Sequence, residues 1–198
     1  MMLVELTPIQ TAALPIAAFK DHLRLGTGFD DGAVQDGILE SFLRAATAAI
    51  EARTGKVLFE RLFGWTLTVW RDNQKQALPL APVSSVVDLV AIDAVGFEES
   101  ATPAWTVIKD DHRPVLAATG QSLPRIPDNG SIRIEILAGF GTWDDVPADL
   151  QQAVMMLAAY YYEYRHETGM SGQDLPFGVK GLIEKYRIVR TLAGGRSE

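Results

Sequence analysis

The sequence predicts an α+β fold: a helical core of about four helices, with a β-rich insertion between the second and third helices. Apolar residues recur at the 3.6-residue period of a helix up to Gly55 and again after Pro147. Between them the period changes to two, which is typical of strands with one buried face. Helices on both sides of a β block fit either an intimate α+β fold or a helical domain with an insertion, and we favour the insertion.

The predicted organisation has four segments. They are the N-terminal helices of the core (1–55), the β-rich insertion (56–137), the central helix (138–166), and a linker with a C-terminal docking helix or tail (167–198).

Composition narrows the class of protein. The 198 residues are 47% hydrophobic and 22% charged, as in ordinary globular proteins. The absence of cysteine excludes disulfides and thiolate chemistry, and no apolar run is long enough to span a membrane. A net charge of −7 argues against a protein that clamps DNA but not against one that DNA passes. Since the N-terminus lacks a basic secretory start, we expect a protein made and kept in the cytoplasm.

Two helices are predicted before the β block. Residues 14–26 have Pro15 at a favourable first position and Gly26 as a stop. The second helix is expected to begin at Asp30 or Asp31, where an acid complements the helix dipole, and to end before Gly55.

The β block contains four segments that we predict as strands. They are residues 61–70, 85–93, 105–108 and 131–137. The last alternates most clearly, with Ile132, Ile134 and Ile136 predicted to face inward. The proline-rich segment 78–83, the exposed hairpin loop 94–104 and the segment 110–130 are predicted as connections.

The helix from Asp149 to His166 is apolar on more than one side. One stripe suffices to pack on a core, yet Met155, Ala159 and Tyr162 extend the apolar surface beyond it. The second apolar side of this helix must therefore be covered by another element or by another subunit. We predict that these three residues contact a neighbouring subunit, with burial inside a single domain as the equally weighted alternative.

The C-terminal segment has a further apolar stripe at helical spacing. Phe177, Leu182, Ile183, Tyr186 and Val189 are its main candidates for docking, and basic residues, among them Arg190, lie towards its end. A short segment that contains two internal glycines has weak intrinsic helicity, so we expect it to dock either on its own core or on a partner.

No arrangement of residues predicts catalysis, a cofactor or a metal. His22, His112 and His166 lie in separate segments without ligand spacing. The cluster Asp110–His112 fits a solvated turn better than an acid–base site. Because no nucleophile, base and orienting group can be assembled, the chain is not expected to be an enzyme.

Seven motifs occur in a characteristic order along the chain. They are Lys20–Arg24 (K-x-H-L-R), Ala48–Gly55 (A-x-I-E-x-R-T-G), Trp65–Leu67 (W-x-L), Leu78–Val86, Ala138–Gly141 (A-G-F-G), Val146–Ala153 (V-P-x-D-L-x-x-A) and Leu175–Arg187. In this order they resemble the head–tail connector, or adaptor, proteins of long-tailed bacteriophages, prophages and gene-transfer particles. The segment 94–130 shows no pattern of that family.

The resemblance implies a structural ring, commonly of twelve subunits, that lies beneath the capsid portal in the neck of the particle. It implies the portal protein and a stopper or tail-terminator protein as partners, with DNA passing through the lumen without specific binding. It also implies that the C-terminal segment docks on the portal, which makes Phe177, Leu182, Ile183, Tyr186, Val189 and Arg190 the expected contacts.

Two alternatives stay open at this point. One is another head-completion or tail-terminator protein at the same DNA exit. The other is a DNA-packaging protein of the small-terminase kind, which would use residues 14–54 to read DNA. The acids Asp30, Asp31 and Asp36 are unfavourable next to phosphate, so we rank this second alternative low.

Overall fold

The computed structural model describes residues 2–25, 32–102, 104–165 and 175–187. Within these ranges there are four α-helices: α1 (Ile16–His22), α2 (Gly32–Thr54), α3 (Ala148–Glu163) and α4 (Phe177–Ile183). The eight strands are β1 (Met2–Glu5), β2 (Arg61–Leu67), β3 (Lys75–Ala77), β4 (Val83–Ile92), β5 (Glu98–Ser100), β6 (Trp105–Ile108), β7 (Val115–Ala118) and β8 (Ser131–Ala138). The predicted α+β class, with a β-rich insertion between α2 and α3, is confirmed.

Local sequence fixes the ends of the long helices. Gly55 follows α2 with φ of 68°, in the left-handed region where glycine is favoured, and its amide donates to the carbonyl oxygen of Glu51 at 2.8 Å. Before α3, the carboxylate of Asp145 accepts from both the amide and the hydroxyl of Thr142, which closes a single 3₁₀ turn. Pro147 then leads into the helix, as its position in the sequence predicts.

The strands form two antiparallel sheets. The larger has the order β1-β2-β8-β4-β5 and the smaller the order β3-β7-β6. Ile134 of β8 lies opposite Trp65 of β2 on one side and Leu89 of β4 on the other. The three isoleucines of β8 are fully buried, so the inward face predicted for this strand is confirmed.

The molecule has two hydrophobic cores. In the helical core, α2, α3 and α4 pack together and enclose Leu58 and Phe59 from the chain that leads into β2. The second core contains residues of β2, β4 and β8 from the larger sheet and Leu116 of β7 from the smaller one. Since the two cores meet at residues 57–59, the β insertion is joined to the helices through packed side chains.

An ion-pair network centred on the buried Arg61 crosses this junction. The guanidinium of Arg61 in β2 is bound by Glu51 of α2 at 2.6 Å and by Glu5 of β1 at 2.9 Å. Glu51 also accepts the Leu58 amide at 2.8 Å. Burial raises the pKa of the Glu51 carboxyl, although Arg61 and this amide act in the opposite direction. The network therefore ties the N-terminal strand, the second helix and the insertion together.

Four strands were not predicted, and each has a physical reason. All four residues of β1 are exposed, so this strand carries no alternating pattern of burial. β5 is short and acidic, and it extends an edge already formed by β4. β3 and β7 pair with each other across the proline-rich segments, which makes the prediction of a connection wrong for residues 115–118. The predicted strand 61–70 ends at Leu67.

Candidate assembly surfaces

The central helix α3 is covered by its own chain. α2 and α4 both pack against it, and the side chain of Met155 is only 7% exposed within the helical core. Met155 is therefore buried within its own subunit, which does not support the predicted contact of this residue with a neighbouring subunit. Ala159 and Tyr162 are half-buried against the same core, and the Tyr162 ring lies edge-on to Phe42 at 6.0 Å. These two residues retain some accessible surface.

The C-terminal helix α4 is partly core and partly surface. Val179 is fully buried and Ile183 is 2% exposed, so Ile183 packs on the protein's own helices and is corrected as a contact for a partner. Leu182 and Tyr186 are half-buried. Phe177, by contrast, is 91% exposed, more than any other large apolar side chain in the described part of the chain. The predicted contacts Val189 and Arg190 lie outside the described residues.

A polar anchor holds the end of this segment on α3. The Tyr186 hydroxyl donates to Asp149 at 2.7 Å, and the Lys185 ammonium lies 2.6 Å from the other carboxylate oxygen. Burial alone would raise the pKa of Asp149, yet the hydrogen bonds from Lys185 and Tyr186 outweigh it and hold that pKa below its ordinary value. Gly178 adds close packing, because a Cβ there would lie 2.8 Å from the terminal methyl of Met156. α4 is thus docked within its own subunit.

The acid–histidine cluster forms a turn, as its sequence favours. One carboxylate oxygen of Asp110 accepts the amides of His112 and Arg113 at 2.7 and 2.6 Å. The buried Lys56 donates to the Asp111 carbonyl and lies 3.1 Å from Nδ1 of His112. Burial lowers the pKa of Lys56, while Asp111 and Asp110 partly offset this effect. The cluster therefore fastens the loop before β7 to the junction of the two cores.

One large cleft has its acidic side chains engaged in hydrogen bonds. The cleft between the β1–α1 connection and the 3₁₀ turn that precedes α3 has a volume of about 510 Å³. Its two acids are engaged, Glu60 by the Ser84 hydroxyl and Asp145 by Thr142. Among the described residues no group of histidines and acids is arranged to hold a metal ion. None of the described helices is long and apolar enough to cross a membrane.

Two exposed apolar patches lie where sequence reasoning assigned no role. The first is the N-terminal edge, with Leu3, Val4 and Leu6 all more than 40% exposed. The second is the tip of the β4–β5 hairpin, where Val95 is 89% and Phe97 66% exposed. Valine and phenylalanine on either side of a turn glycine were the available signal, since exposed turns rarely carry large apolar residues.

Comparisons with known proteins give a consistent result. Neither a protein-family model nor a curated protein matches the chain. Several chains of solved structures do, and three of these matches are informative. The neck of an empty GTA particle computed with C6 symmetry contains a chain with 50% identity and a TM-score of 0.89, and the match covers 100% of both chains.

The other two structures extend this likeness. The virion of a native gene transfer agent (GTA) particle contains a chain with 49% identity and a TM-score of 0.86 over 98% of this chain and 99% of that one. The neck of a native GTA particle computed with C12 symmetry gives 46% identity and a TM-score of 0.83 over 100% of both chains.

Proposed function

The chain belongs to the head–tail connector family of gene-transfer particles, and from this we propose that it is a structural adaptor that forms a ring under the capsid portal. In this position it links the portal to a stopper or tail component and lines the channel through which DNA leaves. The observation that carries the proposal is full-length similarity, at 46% identity or more, to chains in particle necks.

The symmetry of those necks supports a ring of this chain. One neck was computed with sixfold and another with twelvefold symmetry, and closed cyclic symmetry requires each subunit to repeat the same contacts around an axis. A ring of twelve copies fits both values. The proposed role is mechanical, so it needs no catalytic residues, metal or cofactor.

Phe177 is the strongest candidate for the portal contact. It lies at the first position of α4, and its side chain projects from a helix that Val179 and Ile183 anchor in the core. Burying this phenyl group in a groove of the portal contributes about 1.5–3 kcal/mol to binding. Because α4 is already docked on α3, the cost of ordering this element on binding is small. One contact is weak, but a ring of contacts gains strength from high effective concentration.

The remaining predicted contacts contribute differently. Leu182 lies in α4 and Tyr186 shortly after it. Both side chains are half-buried, so their accessible parts can add to the contact with the portal. Val189 and Arg190 follow along the chain and remain proposed contacts on the basis of sequence alone. Ile183 acts indirectly, because its burial fixes the helix that presents Phe177.

The channel role rests on charge. A net charge of −7 repels the phosphate backbone, and Arg61 and Arg133 are already engaged by Glu51 and Glu98. DNA is therefore expected to slide past this protein without specific binding.

The test replaces Phe177 by serine and measures binding to purified portal. We expect binding to be lost with an unchanged melting temperature, because the side chain is exposed. Ile38→Ser is the matched control, since Ile38 is an exposed apolar residue of α2 and should affect neither quantity. Normal portal binding by the Phe177 variant would contradict the proposed contact. Failure of the wild-type chain to bind portal at all would contradict the adaptor role.

A further inference from the structure

The hairpin tip, residues 93–97 between β4 and β5, lies at the end of the larger sheet that is far from the helical core. At the near end Arg61 pairs with Ala138, and the residues just before β2 are packed in the helical core. At the far end Ile92, the last residue of β4, pairs with Ser131, the first residue of β8. β8 has eight residues, so at a rise of about 3.4 Å per residue the two ends are roughly 25 Å apart.

The surface proposed for the portal contact lies on the helical core instead. Phe177 begins α4, and the neighbouring Gly178 lies against Met156 in the middle of α3. Tyr186 reaches back to Asp149 in the first turn of α3, which follows the exit from the sheet. Phe177 and the hairpin tip are therefore two separate surfaces, one on the helical core and one at the far end of the insertion. An adaptor that binds one partner on each side of a ring requires such a pair.

The hairpin tip is built as a rigid projection. The carboxylate of Asp93 accepts the amides of Val95 and Phe97 at 2.9 and 2.8 Å, and the Asp93 amide donates to the Phe97 carbonyl at 3.0 Å. Gly96 between them has φ of 87°, a conformation that other residues rarely adopt. Val95 is 89% and Phe97 66% exposed. The backbone thus holds apolar side chains outward, which lowers the entropy lost when a partner covers them.

The surroundings of the hairpin tip are acidic. Residues 76–108 contain four acids and neither lysine nor arginine. Arg133 of β8 is engaged by Glu98 through two hydrogen bonds at 2.9 and 2.8 Å. In the loop before β8, Arg125 is likewise paired with Asp128 at 2.9 Å. Since these two cations are already neutralised, the charge around the tip is negative.

This charge decides which kind of surface can cover the tip. DNA phosphates would be repelled. A second copy would bring another acidic tip, and its own apolar N-terminal edge lies towards the near end of the sheet, where Glu5 pairs with Phe63. A surface that is apolar at its centre and carries lysine or arginine around it would bury Val95 and Phe97 and also complement the acids.

We propose that the hairpin tip binds the neck protein on the tail side of the ring, and that this protein receives Phe97 and Val95 in an apolar groove flanked by basic residues. The inference rests on the proposed function, because it takes the portal to lie on the side of Phe177. It assigns the stopper or tail component a surface of its own on the adaptor. Repetition of this contact around the ring strengthens the attachment.

The test measures binding of the purified tail-side neck protein to the chain assembled on purified portal. Phe97→Ser is expected to weaken this binding about tenfold or more, because a buried phenyl group is lost, while the chain stays on the portal. Ile108→Ser is the matched control, since Ile108 is an exposed apolar residue of the smaller sheet and its loss should leave the affinity unchanged. Glu99→Lys keeps the apolar tip, and we expect it to weaken binding and to reduce the dependence of binding on salt.

Each other outcome has a defined meaning. Wild-type affinity of the Phe97→Ser variant for the tail-side protein would overturn the inference and leave the adaptor role intact. A Phe97→Ser chain that melts normally but no longer assembles on portal would also overturn it, since the tip would then contact the portal or another copy. Unchanged binding by Glu99→Lys would contradict the basic flanks of the groove. A wild-type chain that does not assemble on portal, or that binds no tail-side protein there, would contradict the proposed function itself.

Discussion

At the scale of single residues, Arg61 is the side chain on which the junction of the two cores depends. It is buried, and two carboxylates from different elements bind it. Removing one partner of a buried ion pair leaves an uncompensated charge, which costs about 3–5 kcal/mol. The comparable pair of Arg133 with Glu98 is more exposed, and such pairs contribute up to about 1 kcal/mol.

Replacement of Arg61 by methionine is therefore expected to lower the free energy of unfolding by about 3–5 kcal/mol. Arg133→Met is the control and should change it by about 1 kcal/mol or less. Urea denaturation followed by tryptophan fluorescence measures both. In the Arg61 variant, the half-buried Glu51 loses its cation and its pKa rises further, so stability should recover as pH falls through that raised pKa towards the ordinary glutamate value of about 4.3. Equal losses in the two variants would contradict the importance of burial.

Asp149 provides a second residue-scale prediction. Because its pKa is lowered in the folded state, its contribution to stability is present above the ordinary value of about 3.9 and is lost as pH falls through the folded value. We expect amide protection in α4 to fall in acid more steeply in the wild type than in Asp149→Asn. Hydrogen exchange at pH 5 and below pH 3 measures the difference. Parallel pH profiles would contradict the anchoring role.

The hydroxyl of Tyr186 can be tested separately from the carboxylate. Tyr186→Phe keeps the ring and removes one hydrogen bond to Asp149, so local stability of α4 should fall by about 1 kcal/mol. Hydrogen exchange of the α4 amides measures this loss of local stability. Glu184→Gln is the control, since that acid pairs with the exposed Arg187 and not with Asp149. A loss in Glu184→Gln as large as in Tyr186→Phe would show that the anchor is not specific.

At the scale of elements, α3 shows why an apolar surface does not reveal what covers it. The period and extent of its apolar residues predicted two covers, and α2 and α4 are those covers. A neighbouring subunit would have satisfied the same pattern. α4 likewise combines a buried stripe with an exposed Phe177, a division that the helical spacing alone does not give.

The substitution Met155→Asp distinguishes burial by the protein's own helices from burial by a neighbouring subunit. We expect Met155→Asp to unfold the isolated chain about as severely as Leu157→Asp, because a buried unpaired charge costs several kcal/mol in either position. Tyr164→Asp, at the residue that follows α3, is the control and should fold normally, since that side chain is 43% exposed. Circular dichroism on heating reports all three. A folded Met155 variant that fails only in assembly would restore the contact between subunits.

The anchored C-terminal segment also changes what truncation can show. Deletion of residues 175–198 removes Leu175, Val179 and Ile183 from the helical core, so the melting temperature should drop. Loss of portal binding in that truncation would not separate a lost contact from a damaged fold. Substitution of a single exposed residue such as Phe177 tests the contact with the portal without damaging the fold.

At the scale of the whole molecule, the net charge of −7 predicts weak interaction with DNA. Few phosphates are neutralised, so little counterion release drives binding. A mobility-shift titration at physiological salt is expected to show no sequence-selective complex. Tight, selective binding would instead favour a role in DNA packaging.

The sequence by itself determined the fold class, the long helices and the buried face of β8, because each depends on local periodicity. The helical period before Gly55 and after Pro147, and the alternation of Ile132 to Ile136, are properties of neighbouring residues. The ordered motifs also indicated the family, which full-length similarity to chains of gene-transfer particles then established.

Only the tertiary structure decided which apolar surfaces stay free. Met155 and Ile183 are buried by elements distant in the chain, whereas Phe177 and Phe97 are left exposed by the same packing. β1 joins its sheet through pairing with β2 across some sixty residues, and β3 finds β7 in the same way. Burial and strand pairing between distant segments depend on how the whole chain packs, and no local sequence pattern encodes that packing.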